Sequence, residues 1–441
     1  MTGFVPHTPL PLILASGLAL LPASLLANEP SNPPYKQPEK PVVAASRPAS
    51  AASVTSPQQP LAWLRQQLDN LPDSLAARQQ RDAQIAAAEA TQQPLYNPQL
   101  SGSYEQEGNS ENLQLGVSQT IDWWDQRGAL SRQAQWQRQQ AELQYQLERQ
   151  RMLSQALQAL VNWHNSQRRY QLARQQEQQL DQLASLTEQR LNTGDLGQVD
   201  VELTRLSLAS TLADTAEAVA AYQTAENDVR RWLPNWRPAV FSPDEAFWQA
   251  LIRPLTQAQQ PATQQQLQQL PQLQLAKADW QQALAQADSQ QRGNRARPSL
   301  GVSAGRNADQ EVIGLNLSIP LNLRNNYRAS NRAAQQQALA AESSYLAQLR
   351  QLDYQLESAR SLAQQYQQQL QRWQTLMHNS QDNSATLLQR QWQSVDLSTQ
   401  QYLLALSQRR DGIEAGLRLQ RDTRLALIRW LETSARLQHL P

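Results

Sequence analysis

The chain is built from two copies of one unit, related by a shift of 200 residues. Residues 98–135 align with residues 298–335 without a gap, and farther on GDLG at 194–197 meets VDLS at 395–398, with the shift one residue larger. A duplicated unit leaves apolar faces that its copies normally cover together. The two copies are therefore expected to complete one shared structure. Positions that coincide include Pro98/Pro298, Leu100/Leu300, Ser103/Ser303, Leu115/Leu315, Ser118/Ser318, Ala129/Ala329 and Arg132/Arg332.

Each unit begins with two short stretches in which apolar and polar residues alternate. This period of two is typical of a β-strand with one apolar and one polar face. Polar turns are predicted at 105–112 and 306–311. Each unit therefore starts with a β-hairpin, one within about 95–122 and one within about 298–322. The apolar members of the second strands are Leu113, Leu115, Val117 and Ile121 in the first unit, and Ile313, Leu315, Leu317, Ile319 and Leu321 in the second.

Long helical segments follow each hairpin. Residues 126–192 contain no proline, and their one glycine is Gly128. At about 1.5 Å per residue this segment would make a helix close to 100 Å long. Apolar residues return at the spacing of coiled coils. The sequence predicts outgoing helices at 126–192 and 326–393, return helices at 199–232 and 399–436, and further helices at 73–93 and 262–291.

The composition argues against several functional classes. A net charge of +1 provides no general electrostatic attraction to nucleic acid or to anionic lipid. The chain contains no cysteine, so thiolate metal sites and disulfides are excluded. The four histidines, His7, His164, His378 and His439, lack ligand-spaced partners, and no phosphate loop or nucleophile motif occurs. We therefore expect neither an enzyme, nor a bound cofactor or metal, nor a nucleic-acid partner.

The first 27 residues are predicted to be a secretory signal peptide. An apolar segment at 10–26 precedes small residues around Ala27, although the segment before it carries no lysine or arginine. A membrane anchor is the weaker alternative, because Pro11 and Pro22 interrupt a run that is already short. The predicted organisation is a signal peptide at 1–27, a flexible Pro/Ala/Ser-rich leader at 28–60, a first repeat at 61–232, a linker at 233–262 and a second repeat at 263–436.

The apolar strand faces admit three interpretations. The strands could form an ordinary antiparallel sheet, or the helices could form a secreted coiled-coil stalk. A membrane is favoured because a secreted chain with four predicted strands and otherwise solvated helices has no obvious second layer to cover the sheet. Hydrocarbon does not tolerate open sheet edges, and four strands are too few for a membrane barrel. Several copies of the chain would then have to contribute to one barrel.

The order of these elements resembles the TolC family of outer-membrane efflux channels, over residues 61–436. The short motifs are closest to its heavy-metal-efflux (CzcC-like) branch. Single motifs are unspecific, but their order, the duplication and the helix lengths together are distinctive. The motifs are YNPQL at 96–100, GVSQTI at 116–121, DQRGA at 125–129, LNLSIPL at 315–321, DLS at 396–398 and YLLAL at 402–406.

This resemblance implies a mainly α fold with a small β part. Three chains would form a 12-stranded outer-membrane β-barrel, continued by an α-helical barrel in the periplasm. The far end of the helices would dock a periplasmic adaptor (membrane fusion) protein and an inner-membrane RND-type pump. The sequence departs from the family at Val395, where a glycine is usual, and in lacking the lipid-carrying cysteine of many relatives.

Several residues are candidates for these roles. Asp195 and Asp396 would place carboxylates at the periplasmic mouth and favour cations, or they would cap a helix or support a turn. Gly194, Leu196 and Leu397 are candidates for adaptor contact, with packing inside the hairpin as the alternative for the leucines. Trp123 and Trp124 are predicted at the membrane interface, and Pro320 at the strand-to-helix turn. The strand residues predicted to face lipid are Leu115, Val117, Leu315 and Leu317.

The sequence therefore predicts a passive exit duct of a tripartite efflux system, with heavy-metal cations as one candidate cargo. The alternatives are the outer-membrane channel of a type I protein secretion system and a secreted coiled-coil structural protein without a pore.

Overall fold

A computed structural model describes residues 60–108, 110–257, 262–307, 310–377, 383–394 and 396–437. The predicted signal peptide, nearly all of the predicted leader, and Val395, His7, His378 and His439 lie outside these ranges. Pro60, predicted as the last residue of the leader, is the first residue of helix α1. The described residues form ten helices and four strands.

The first repeat follows the predicted order. Its elements are α1 (Pro60–Asp69), α2 (Pro72–Gln92), β1 (Gln99–Glu107), β2 (Ser110–Thr120), α3 (Gln126–Asn192) and α4 (Gln198–Trp232). The prediction for α3 is confirmed at both ends. Asp122 fixes its start, because the carboxylate accepts hydrogen bonds from the backbone N–H groups of Gln126 and Arg127 at 2.8 and 2.7 Å, groups that otherwise lack partners in a first helical turn.

The second repeat follows the same order as the first, and the linker before it contains a helix, α5, that the sequence analysis did not predict. Their elements are α5 (Glu245–Gln257), α6 (Gln264–Gln268), α7 (Pro271–Gly293), β3 (Ser299–Asn307), β4 (Gln310–Ser318), α8 (Arg328–Met377), α9 (Asn383–Gln393) and α10 (Thr399–Thr433). Residues 378–382, between α8 and α9, are outside the described ranges.

Three predicted boundaries are wrong. The helix expected at 262–291 is two helices, because Pro271 occupies the first position of α7 and starts a new helix there. The strand predicted to reach residue 322 ends at Ser318, and Pro320 follows, which has no N–H for a strand ladder. The hairpin turns are shorter than predicted, since Glu107 pairs with Ser110 and Asn307 with Gln310.

The four strands form one antiparallel sheet in the order β1-β2-β3-β4. The hairpins of the two repeats are joined directly, because β2 pairs with the whole length of β3, from Asn112↔Asn307 to Thr120↔Ser299. The duplicated units thus share a single sheet, as the repeat predicted.

The main hydrophobic core brings the linker together with both repeats. Its largest fully buried side chains are four tryptophans from α3, the α4–α5 segment, α5 and α10: Trp163, Trp236, Trp248 and Trp430. The rings of Trp163 and Trp236 meet edge to face with centroids 4.8 Å apart, a favoured arrangement for aromatic pairs. Leu61, Leu64 and Leu68 of α1 join this core.

Candidate functional site

The sheet has one apolar and one polar face across all four strands. In one row of paired residues, Val117 lies between Leu100 and Val302, and Val302 also pairs with Leu315. One residue along each strand, Ser101, Gly116, Ser303 and Gly314 form the matching row on the opposite face. This alternation repeats along the strands because successive side chains point to opposite faces.

The apolar face is exposed to solvent. Leu315 is 86% exposed, and Leu115, Val117 and Leu317 are 57%, 53% and 61% exposed. The four residues predicted to face lipid therefore lie on one continuous face that the described part of the chain leaves uncovered. Exposed apolar surfaces of this kind mark contacts with membranes or with other chains.

The two outer strands of the sheet have free edges. Within the described residues β1 pairs only with β2, and β4 pairs only with β3. An unpaired edge presents a row of backbone N–H and C=O groups that can pair with a strand of another chain.

The junction between sheet and helices holds the two predicted interface tryptophans. Trp123 is 69% exposed and Trp124 is 36% exposed. The Trp124 indole N–H donates to the carbonyl of Ala296 at 2.7 Å, and the Arg295 guanidinium lies 4.6 Å from the Trp124 ring centroid. These contacts anchor Trp124 to the segment before β3 and leave Trp123 in solvent.

The two hairpin tips share a pair of backbone hydrogen bonds. At the first tip the N–H groups of Asp195 and Leu196 both donate to the carbonyl of Arg190. At the second tip Asp396 and Leu397 donate in the same way to Gln391. Gly194 closes the first turn with a φ of +81°, a left-handed conformation that suits glycine after a helix end.

The predicted tip aspartates do not cap helices. The N-cap positions of α4 and α10 are Gly197 and Ser398. Instead, the Asp195 carboxylate accepts from the hydroxyl of Thr193 at 2.9 Å and Asp396 accepts from Ser394 at 2.6 Å. Each carboxylate therefore supports its own turn. Because both are exposed, they are also accessible to ions.

A second hydrophobic cluster joins the two tips. It contains Leu180, Leu183, Trp392 and Tyr402, with Leu196 packed against it. Leu196 is thus half-buried within the chain, and Leu397 is half-buried as well. The sequence analysis did not identify this cluster, because its members come from repeats more than two hundred residues apart.

Polar contacts fix the aromatic pair of this cluster. Trp392 stacks on Tyr402 with centroids 5.5 Å apart, and the Arg190 guanidinium lies 4.5 Å above the Trp392 ring. The amide of Gln179 donates to the Tyr402 hydroxyl at 3.4 Å. Burial raises the pKa of Tyr402, a hydroxyl that is protonated at neutral pH even at its ordinary value.

Two titratable groups lie beside the four buried tryptophans of the main core, which we call the tryptophan core; the sequence analysis predicted no role for either group. The Arg424 side chain is 7% exposed, pairs with Glu245 at 3.1 Å and lies 4.5 Å from the Trp248 ring centroid. Burial lowers the pKa of Arg424 to about 10, so it stays charged. Burial, aided by the charges of Arg424 and Arg168, lowers the pKa of His164 to about 4.

The described residues contain no group of three or more His, Cys, Asp or Glu side chains placed to hold a metal ion. Among the same residues, no helix is both long enough and apolar enough to cross a bilayer.

Comparison with known proteins identifies the fold. Residues 63–234, which cover the first repeat, match the family model described as outer membrane efflux protein. No curated protein matches the chain. Several solved structures with this fold, including those of CmeC, OprN and MtrE, are outer-membrane channels.

Three solved structures illustrate the likeness. CusC, described in the context of transmembrane channel formation, is 19% identical with a TM-score of 0.67 over 91% of this chain and 98% of its own. The Campylobacter jejuni CmeC outer membrane channel is 14% identical with a TM-score of 0.69 over 85% of each chain. The open state of the Neisseria gonorrhoeae MtrE outer membrane channel is 15% identical, with a TM-score of 0.67 over 85% of this chain and 88% of its own. The chain therefore has the fold of these outer-membrane channels, and its first repeat matches the outer membrane efflux protein family model.

Proposed function

We propose that this chain is the exit duct of a tripartite efflux system in the outer membrane, with its helices in the periplasm. The observation that carries the proposal is the sheet, which has an exposed apolar face, a polar face and two free edges. A bilayer accepts the apolar face only if both edges are closed. The long helices that continue from the strands would extend the duct away from the membrane.

Three copies would close the barrel. The free edge of β4 in one copy would pair with the free edge of β1 in the next, giving twelve strands and no unpaired backbone. The polar face, with Ser101, Gln114, Ser303 and Asn316, would then line the lumen, and Leu115, Val117, Leu315 and Leu317 would contact lipid. This arrangement accounts for exposed leucines and polar residues on opposite faces of the same strands.

The hairpin tips are proposed to meet the periplasmic adaptor and, through it, an inner-membrane pump. Gly194 and Asp195 are exposed at the first tip, with Asp396 at the second. Leu196 and Leu397 are partly exposed. Because Leu196 also packs in the tip cluster, its contribution to docking would be through its exposed part.

Heavy-metal cations are the proposed cargo. The support is the likeness of short motifs to the heavy-metal-efflux branch, together with the accessible carboxylates of Asp195 and Asp396 at corresponding positions. In a trimer these would place up to six carboxylates near the mouth, which would favour cations. The pump would supply the energy and most of the selectivity.

The proposal is tested by purifying the chain and recording from it in planar bilayers. The expected results are a requirement for detergent, a mass of three chains and stable conductance. A monomer that is soluble without detergent would contradict the proposal and support the coiled-coil stalk. Export of a protein substrate but not of metal by the intact system would support the type I secretion channel instead.

The tip aspartates are tested separately. Replacing both with lysine (Asp195→Lys and Asp396→Lys) should shift the single-channel preference from cations toward anions, measured as the reversal potential in a salt gradient. The matched control is Asp195→Asn with Asp396→Asn, which should reduce the preference without reversing it. An unchanged reversal potential in the lysine variant would leave these aspartates with a role in turn formation only.

A further inference from the structure

The end of the sheet nearest the helices carries a large excess of arginine. Three segments meet there: 121–135 after β2, 288–298 before β3, and 319–335 after β4. They contain eight arginines and three aspartates. The arginines are Arg127, Arg132, Arg292, Arg295, Arg297, Arg324, Arg328 and Arg332, and the aspartates are Asp122, Asp125 and Asp288.

Hydrogen bonds hold these segments together. The backbone N–H of Ile121 donates to the carbonyl of Pro298 at 2.9 Å. The Asn322 amide donates to the carbonyl of Asn294 at 2.9 Å, and the Asn294 amide donates to Asn331 at 2.7 Å. The arginines therefore belong to one collar around the helix end of the sheet, which we call the arginine collar.

The three aspartates already have partners inside the collar. Asp122 binds the first N–H groups of α3. Asp125 pairs with Arg292 at 3.1 Å, and Asp288 pairs with Arg292 and Arg132 at 2.8 Å each. The acidic groups thus offset only part of the positive charge. Arg127, Arg324, Arg328 and Arg332 are exposed, and none of the three aspartates lies in the 319–335 segment that carries the last three of them.

Exposed apolar side chains lie directly beside these arginines. Ile319, Leu321 and Leu323 are 50%, 74% and 84% exposed, and Trp123 is 69% exposed. Leu323 is followed immediately by Arg324. A mixture of exposed leucine, tryptophan and arginine at the end of an apolar sheet face fits the boundary between hydrocarbon and headgroups.

The opposite end of the sheet has the reverse balance. Its described residues include Glu105, Glu111 and Glu311, together with Arg306. The excess of arginine is therefore confined to the helix end and does not follow from the overall composition, whose net charge is only +1.

From this arrangement we propose that the arginine collar binds the anionic headgroups of phospholipids in the membrane leaflet nearest the helices. This inference rests on the proposed function, since it needs the sheet to lie in a bilayer. Guanidinium groups form paired hydrogen bonds with phosphate, and each basic side chain near an anionic lipid surface adds about a fivefold preference. Phosphatidylglycerol-type lipids should be enriched around the collar.

The test compares lipid binding by three variants of the full chain. Purified protein is mixed with equal amounts of phosphatidylcholine and phosphatidylglycerol, and bound lipids are counted by native mass spectrometry. The test variant carries Arg127→Gln, Arg324→Gln and Arg328→Gln. A second variant has lysine at the same three positions, which keeps the charge. A control variant removes three exposed arginines from the helices: Arg78→Gln, Arg350→Gln and Arg372→Gln.

The wild type, the lysine variant and the control should all prefer phosphatidylglycerol. The glutamine variant at the collar should lose that preference by about tenfold or more, and added salt should weaken it in the others. Retention of the preference in the collar variant, or equal loss in the control, would overturn the inference. Loss of the trimer with an unchanged lipid ratio would assign these arginines to contacts between copies and would also overturn it.

Conductance of the wild type in pure phosphatidylcholine bilayers separates the two proposals. If the wild type conducts and the collar variant keeps its lipid preference, only the lipid inference fails. If the wild type neither inserts nor conducts, the proposed function fails, whatever the lipid ratio.

Discussion

The tryptophan core and the four-stranded sheet both concentrate apolar side chains, but they meet different surroundings. In the core, Trp163, Trp248 and Leu251 are covered by helices of the same chain. In the sheet, Leu315 and Ile313 are more than 80% exposed. The described part of the chain therefore covers the core, whereas it leaves the apolar face of the sheet uncovered. Burial of apolar surface is the driving force in both regions, and the difference lies in what covers that surface.

The largest expected effect is in the core. Trp163→Ala removes a fully buried ring that packs on Trp236 and should lower the free energy of unfolding by about 3–5 kcal/mol. Denaturant unfolding followed by circular dichroism of the helices measures this. Trp123→Ala is the matched control, because Trp123 is 69% exposed and its loss should change helix stability by less than about 0.5 kcal/mol. Equal effects of the two changes would contradict the contrast between core and sheet.

The next effect separates the two faces of the sheet. Leu315→Arg places a charge on the apolar face and should cost about 2–4 kcal/mol per copy if that face lies in hydrocarbon. Its neighbour Asn316 lies on the polar face, so Asn316→Arg should be tolerated. The yield of folded oligomer in outer-membrane extracts measures both. Equal yields would show that neither face contacts lipid.

The smallest expected effect is on how the stability of the core depends on pH. The pKa of His164 is about 4 in the folded chain, below the value of about 6.5 expected for an unfolded histidine. As pH falls, the unfolded chain therefore takes up the proton first. The contribution of neutral His164 to the free energy of unfolding is complete above about pH 6.5 and is lost as pH falls toward 4. Solvent screening at this partly exposed ring reduces the contribution to about 1–2 kcal/mol.

This pH dependence is measured by denaturant unfolding at a series of pH values. His164→Gln should flatten the dependence between pH 6.5 and 4 and leave the sheet unaffected. The same slope in wild type and variant would show that other groups cause any acid destabilisation.

Much of the fold could be predicted because the local signals agree. The bounds of α3 follow from a segment without proline that ends at a Gly-containing turn, and the strand faces follow from strict alternation. Helix α5 was missed because Pro254 lies inside it and prolines precede it. It forms nevertheless, since Phe247, Trp248, Leu251 and Leu255 recur on one side and pack into the core.

The candidate site was predictable in part. The places of the candidate residues on the apolar sheet face, at the tips and at the sheet–helix junction could be named from alternation, duplication and resemblance, while their contacts with lipid, ions and partners stay predictions. The contacts of Arg190 with Trp392, and of Arg424 with Glu245 and Trp248, could not be named. These partners are far apart along the sequence, and no local pattern links a single arginine to a single aromatic ring.

The sequence by itself determined most of the elements, their duplication and which side chains form apolar faces. A period of two or of about 3.6 specifies an apolar face whatever lies against it. Only the tertiary structure decided which of these faces the chain covers. The buried tryptophans pack against helices from both repeats, whereas strands β1 to β4 pair only with one another in the described residues. The hydrophobic effect is non-directional, so a pattern of leucines indicates that a face is to be buried but does not indicate what it packs against.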